Sequence, residues 1–245
     1  MMGRTAVEAD EMRRRPVPLT GEDVAQLPEG CADCLFWELG GPCPQPRSLT
    51  VLGGIAPTVS PEEAARPGRA RKRDWISTQV HEDGPPGARI EVVTAAGTAR
   101  ERTRTAAFAL FAPADRFAPR GGAAPRSSPG AMLLATVWVD DVHRGDGLGR
   151  LLLQAALRET LRQDRPALEA YGDRRFRERT CLLPATWLLH EGFAVHREHP
   201  RVPLFHLDVR RAARWAESLE HAVDEVLAHL PRQTPAPVPT RQGGR

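Results

Sequence analysis

The chain is poor in lysine and tyrosine. Lys72 is its only lysine among 34 basic side chains, and Tyr171 is its single tyrosine. Aromatic residues fill 5% of the 245 positions. The arginine runs therefore lack interleaved aromatics, and no nucleic-acid recognition motif accompanies them, so no nucleic-acid partner is expected. No apolar run reaches the ~20 residues that cross a bilayer. The longest stretches, AMLLATVWV and LLLQAAL, have the length of single elements. The opening MMGRTAVEADEMRRRPVPLT is charged and has no apolar segment, which reads as no signal peptide, no membrane partner and a cytoplasmic protein.

Cysteines are few: Cys31, Cys34, Cys43 and Cys181. CADC with Cys43 offers three thiols, but a zinc site needs four nitrogen or sulfur ligands, and the partner His or Cys pair at ordinary spacing is missing, with the distant His81 a candidate fourth. A redox CxxC opens a helix after a strand, whereas CADCLFWELGG reads as a short apolar segment. The expectation is reduced thiols buried beside Leu35, Phe36 and Trp37, with no metal.

Hydrophobic residues make up 41% of the chain, enough for a real core, and the net charge is a mild +3. Arginine, alanine, glycine and proline are favoured throughout, so arginine clusters carry little information by themselves. RARKR (69–73) and DRRFRER (173–179) read as solvated faces.

Residues 1–15 read as disordered. VPLTGEDVAQLP reads as a short strand, then a helix capped by Thr20 with Asp23 three residues on. Pro61 opens a second helix, and ARKRDWISTQVHED suits a third. Strand-rich segments follow at 88–95 and 105–113, and AMLLATVWVDD (131–141) has the continuous apolar run of a central strand buried on both faces. A helix to about Asp164, a strand at 167–173, a helix at 181–193 and two closing strands, AVHREHP and PLFHLDV, complete the run. A last amphipathic helix spans 210–230, with Ala212, Trp215, Leu219, Val226 and Leu230 on one stripe, followed by a Pro/Gly-rich disordered tail at 231–245. That stripe packs on its own domain or forms a homodimer.

The informative stretch is VHRGDGLGRLLLQAAL (142–157): an apolar strand, a glycine turn, a helix. Such a junction exposes backbone N–H groups at the positive end of a helix, where phosphates bind. Gly145, Gly147 and Gly149 let the main chain turn tightly and approach an anion closely. Arg144 and Arg150 add charge. The turn has no lysine, which excludes a P-loop, and its GxGxG spacing does not fit a dinucleotide fingerprint.

Arg144, Gly147 and Gly149 supply the pattern [QR]xxGxG. With the strand before it, ALEAYGD (167–173) and LLHEGF (188–193), this resembles the GNAT acyltransferase superfamily over about residues 88–209, and residues 16–209 are read as its domain. The earlier CADCLFWELG resembles an actinobacterial branch of that superfamily. The resemblance implies an α/β fold: a central mixed, largely antiparallel sheet of about 6–7 strands, splayed in the middle, with helices on both faces and an extra C-terminal helix. It implies acetyl-CoA or another acyl-CoA as co-substrate and an amine, on a small molecule or a protein, as acceptor. Main-chain groups of Thr136 to Val139, Val137 and Val139 among them, would line the pantetheine arm. Amides of Arg144, Gly145, Asp146, Gly147, Leu148, Gly149 and Arg150 would hold the pyrophosphate. The family's usual tyrosine acid falls at Leu188, so the acid passes to Tyr171, Cys181 or His190. The base passes to Asp140, Asp141 or Glu169, of which Glu169 shares a strand face with Tyr171. The loop ADRFAPRGGAAPRSSPG is expected to border the acceptor cleft. The expected function is N-acyl transfer, acetyl first among acyl groups, by direct attack in a ternary complex. The alternative is a non-catalytic module that binds coenzyme A and acts through protein contacts.

Overall fold

In a computed structural model, residues 11–41, 62, 65–94, 102–119, 124–176 and 181–209 are described. Contacts divide the chain into residues 1–210 and 211–245, and every described residue belongs to the first unit. The expected 210–230 helix, the tail, residues 1–10, Pro61 and Cys43 lie outside the described residues.

The elements run β1 Glu11–Pro18, a 3-10 turn Gly21–Gln26, α1 Glu29–Ala32, α2 Phe36–Leu39, α3 Gly68–Glu82, β2 Gly87–Thr94, β3 Arg102–Pro113, β4 Met132–Val139, α4 Leu148–Arg162, β5 Ala167–Asp173, β6 Leu183–Pro184, α5 Ala185–His190, β7 Ala194–Arg197 and β8 Leu204–Asp208. They build one 8-stranded sheet in the order β1-β2-β3-β4-β5-β8-β7, with β6 beside β5. All neighbours are antiparallel except β4–β5 and β5–β6. The mixed, largely antiparallel sheet that the resemblance implies is the sheet observed, with eight strands where about 6–7 were expected.

Two boundaries differ from expectation. Glu11 to Arg15, read as disordered, belong to β1, in which Glu11, Met12 and Arg13 pair with Val93, Val92 and Glu91 of β2. The helix expected at 181–193 begins only at Ala185. A residue before proline is pushed to extended geometry, and Leu183 and Pro184 instead run beside Gly172 and Asp173 of β5. At the other end, Thr20 caps its turn as expected, with its N–H and hydroxyl both donating to Asp23 Oδ2 at 2.8 Å.

Each sheet face has its own core. Ile90, Phe111, Met132 and Leu134 meet Leu148, Leu152, Leu153 and Ala156 of α4 on one face. Phe108, Leu110, Leu133 and Ala135 meet Val24, Phe36, Trp37 and Ile76 on the other. β4 alternates between them until Ala135, where the register against β3 jumps from Phe111↔Leu134 to Leu110↔Thr136. Ala135 is the extra residue of a bulge. A bulge bends its strand and resets the side-chain alternation, so Val137 and Val139 join the α4 face while Trp138 joins the other.

Candidate active site

β4 and β5 run parallel but pair only at Met132↔Leu168 and Leu133↔Glu169. Beyond that point β4 loses its partner on the β5 side, and the bulge at Ala135 falls where the two strands separate. The result is a fork in the middle of the sheet. A cavity of about 740 Å³ lies at its open end, a size that suits an organic ligand. Thr136, Val137, Trp138 and Val139 of β4 form one side, Leu182 to Pro184 and Trp187 another, and Cys31, Cys34, Trp37, Glu38 and Lys72 a third. Asp141, Arg144 and Gly149 border it near the glycine turn.

The turn leaves its main chain open. Gly145 and Gly147 take positive φ, 91° and 80°, in the left-handed region that glycine alone occupies freely. Open space surrounds both: a Cβ built there meets nothing within 4 Å. Gly147 caps α4, and the N–H groups of Gly145, Gly147, Leu148 and Gly149 donate to no backbone carbonyl among the described residues. Leu148 is buried and anchors the first turn, while Gly149 lets Trp187 approach to 3.5 Å of where its Cβ would stand. Four main-chain donors thus sit beside the fork.

Charge around the turn is already organised. Arg144 pairs with Asp141 at 2.8 Å. Arg150 grips Glu191 through Nε at 2.9 Å and Nη2 at 3.2 Å, and this hydrogen bonding raises its already high pKa. Arg104 meets Asp140 at 2.5 Å. Burial alone would raise the Asp140 carboxyl, but the Arg104 hydrogen bond and charge, with the Val142 N–H, hold it below the usual carboxylate range. Arg144 and Arg150 are more than half exposed and so can turn toward a ligand.

The remaining predicted residues are dispersed. Glu169 and Tyr171 do share a face, but both serve the loop above β5 rather than the cavity. Glu169 is fully buried and accepts from Ser128 N–H at 2.8 Å. Tyr171 stacks on Trp37, with ring centroids 5.7 Å apart, and donates its hydroxyl to the Pro125 carbonyl at 2.5 Å. His190 is an exposed helix end, 3.3 Å from Glu191. Asp141 and Cys181 border the cavity. Leu188 is fully buried, packed toward Gly172 of β5, and so belongs to the core on the α4 face.

Two features escaped the sequence. Lys72, inside a run read as a solvated face, is buried and ion-paired with buried Glu38. Being the sole lysine was the available signal. Cys34, grouped by spacing with Cys31 and Cys43, lies 3.4 Å from Cys181 instead, and Trp37 Nε1 donates to the Cys181 carbonyl at 2.6 Å.

No family model matches this chain, and no curated protein matches it. Several solved structures are similar. A putative acetyltransferase, yncA, from Salmonella typhimurium with its cofactor acetyl-CoA shares 17% identity at TM-score 0.45, covering 79% of this chain and 92% of that one. A putative acetyltransferase of the GNAT family from Desulfovibrio desulfuricans shares 15% at TM-score 0.41, covering 82% and 99%. The paia N-acetyltransferase from Thermoplasma acidophilum in complex with coenzyme A shares 12% at TM-score 0.41, covering 82% and 99%. At these levels the likenesses carry no assignment of activity, which has to rest on the residues themselves.

Proposed function

We propose that the chain is an acyl-CoA-dependent N-acyltransferase of the GNAT type, acting on an amine. The observation that carries this reading is the junction of a split sheet with a glycine-capped helix. The edge of β4 from Thr136 to Val139, which pairs with no strand on the β5 side among the described residues, leads into four N–H groups at Gly145, Gly147, Leu148 and Gly149 that donate to no backbone carbonyl among those residues. Those amides, with Arg144 and Arg150, bind the diphosphate. The unpaired groups of Val137 and Val139 pair with the pantetheine arm as a missing strand would, and an N–H there stabilises the oxyanion. The thioester supplies the activated acyl group.

Asp141 lies at the turn and pairs with Arg144, so its role is to shape the anion cradle. Glu38 is a carboxylate in the cavity wall, carried by α2 and held by Lys72. We assign it the acceptor's ammonium proton. No side chain is assigned as the acid: a departing thiolate with a pKa of about 8.5 leaves without one.

The test combines coenzyme A binding by calorimetry with thiol release from acetyl-CoA across a panel of amines. Binding with amine-dependent thiol release supports the reading. Absence of binding overturns it, and binding without release leaves the non-catalytic module. Glu38→Gln is expected to lower kcat about 100-fold while leaving coenzyme A affinity unchanged.

A further inference from the structure

We propose that Glu169, His196 and His206 form a site for one divalent transition-metal ion, with zinc the ion it fits. Three neighbouring strands deliver these side chains to one sheet face. Glu169 on β5 stands directly opposite His206 on β8. His206 pairs with Ala194 on β7, and His196 falls at the irregularity between Val195 and Arg197 of that strand, with its ring centroid 5.0 Å from that of His206.

Their ligand atoms all lie within 4.8 Å of one another. Glu169 Oε1 is 3.5 Å from His206 Nδ1 and 3.9 Å from His196 Nε2. Bonds of about 2.0–2.1 Å in a tetrahedron set neighbouring ligand atoms about 3.3 Å apart. The Glu169–His206 pair is close to that spacing at 3.5 Å, and His196 has to close in from 3.9 Å. Both imidazoles are about one-third exposed, at 37% and 33%, which leaves an entrance, whereas the carboxylate is fully buried. Two imidazoles and one carboxylate are a zinc ligand set that keeps a position open for water.

The surroundings fit a ligand shell. Ser128 N–H donates to Oε2 and fixes the carboxylate with Oε1 toward the imidazoles. The Ser128 hydroxyl lies 3.1 Å from His196 Nε2. Rotated away, it frees that nitrogen and can bond a metal-bound water. An ion here would tie β5, β7 and β8 to the loop carrying Ser128. The cluster lies outside the cavity lining, so the proposal does not depend on acyl transfer.

The full-length chain, free of any affinity tag and stripped with a chelator, is titrated with zinc chloride and, separately, cobalt chloride. One equivalent of zinc is expected per chain, with a raised melting temperature. Cobalt should give visible bands of a four- or five-coordinate nitrogen/oxygen site and no near-ultraviolet thiolate charge transfer. His196→Gln and His206→Gln should each weaken zinc at least about 10-fold, since even outer-shell partners cost about 10–100-fold. The triple variant Cys31→Ser, Cys34→Ser, Cys181→Ser should bind as the parent does. The idea is overturned by no stoichiometric binding, by thiolate bands in the wild-type cobalt spectrum, or by affinity that survives both histidine changes. The cobalt spectrum needs no variant, so it decides even if a variant misfolds.

Discussion

Gly147 and Gly149 sit two residues apart and should respond differently to the same change. At Gly147, with φ of 80°, an added Cβ has open space but a costly backbone, about 1–2 kcal/mol. Gly147→Ala should therefore lower stability by roughly that amount, read by chemical denaturation, and weaken coenzyme A by crowding the cradle. At Gly149 the backbone is ordinary and the Cβ would meet Trp187 at 3.5 Å, a normal contact. Gly149→Ala should leave stability within about 0.5 kcal/mol. Leu188 and Lys72 carry two further expectations. Because Leu188 is fully buried against β5, Leu188→Tyr should overpack the core and cost about 1–3 kcal/mol without restoring an acid. Lys72→Met should cost about 3–5 kcal/mol by leaving the Glu38 carboxylate buried and unpaired. Adding Glu38→Gln should recover much of that loss in the same denaturation experiment.

β4, the turn and α4 form the element whose sequence was most legible. The long apolar run announced a strand covered on both faces, and the glycines announced a tight turn. The turn was read as leading into a helix to about Asp164, and the structure adds that Leu148, Leu152, Leu153 and Ala156 are among its buried residues. The bulge at Ala135 was not legible, because nothing in ATVWV distinguishes an alternation that resets from one that continues. That reset is what sends Val137 and Val139 to the α4 face. Deleting Ala135 should remove the bulge and its bend while leaving every later β4 side chain opposite the same β3 partner and on the same face. The expected result is cooperative thermal unfolding retained but coenzyme A affinity lowered, both checked by calorimetry, because β4 no longer bends away at the fork. Short elements were the least legible: Leu183 and Pro184 lie next to a helical pattern, and only their proline points to extended backbone.

Across the molecule, ion pairs that join distant segments set a mild pH dependence. Arg104 on β3 holds Asp140 after β4, across the strand pair that leads into the turn. The Asp140 carboxyl is lowered in the folded state. Its stabilisation is therefore complete above the unfolded value of about 3.9 and is lost as pH falls through the lower folded value. Both side chains are partly exposed, so the loss should be under about 1 kcal/mol. It should vanish in Asp140→Asn, as read from melting temperatures between about pH 5 and pH 3. Long-range partners of this kind, like Glu38 with Lys72 or Cys34 with Cys181, come from segments far apart in the chain that meet only in the fold, and local patterns carry no trace of the pairing.

The central claim is that main-chain donors beside the fork grip the diphosphate of coenzyme A. Calorimetric titration of coenzyme A into the wild-type chain and into Gly145→Val/Gly147→Val tests it most directly. The account predicts saturable one-to-one binding in the wild type and at least about a tenfold loss, 1.4 kcal/mol, in the variant. Equal affinity in both chains, or no heat in the wild type up to about 1 mM, where binding is worth only about −4 kcal/mol, would contradict it.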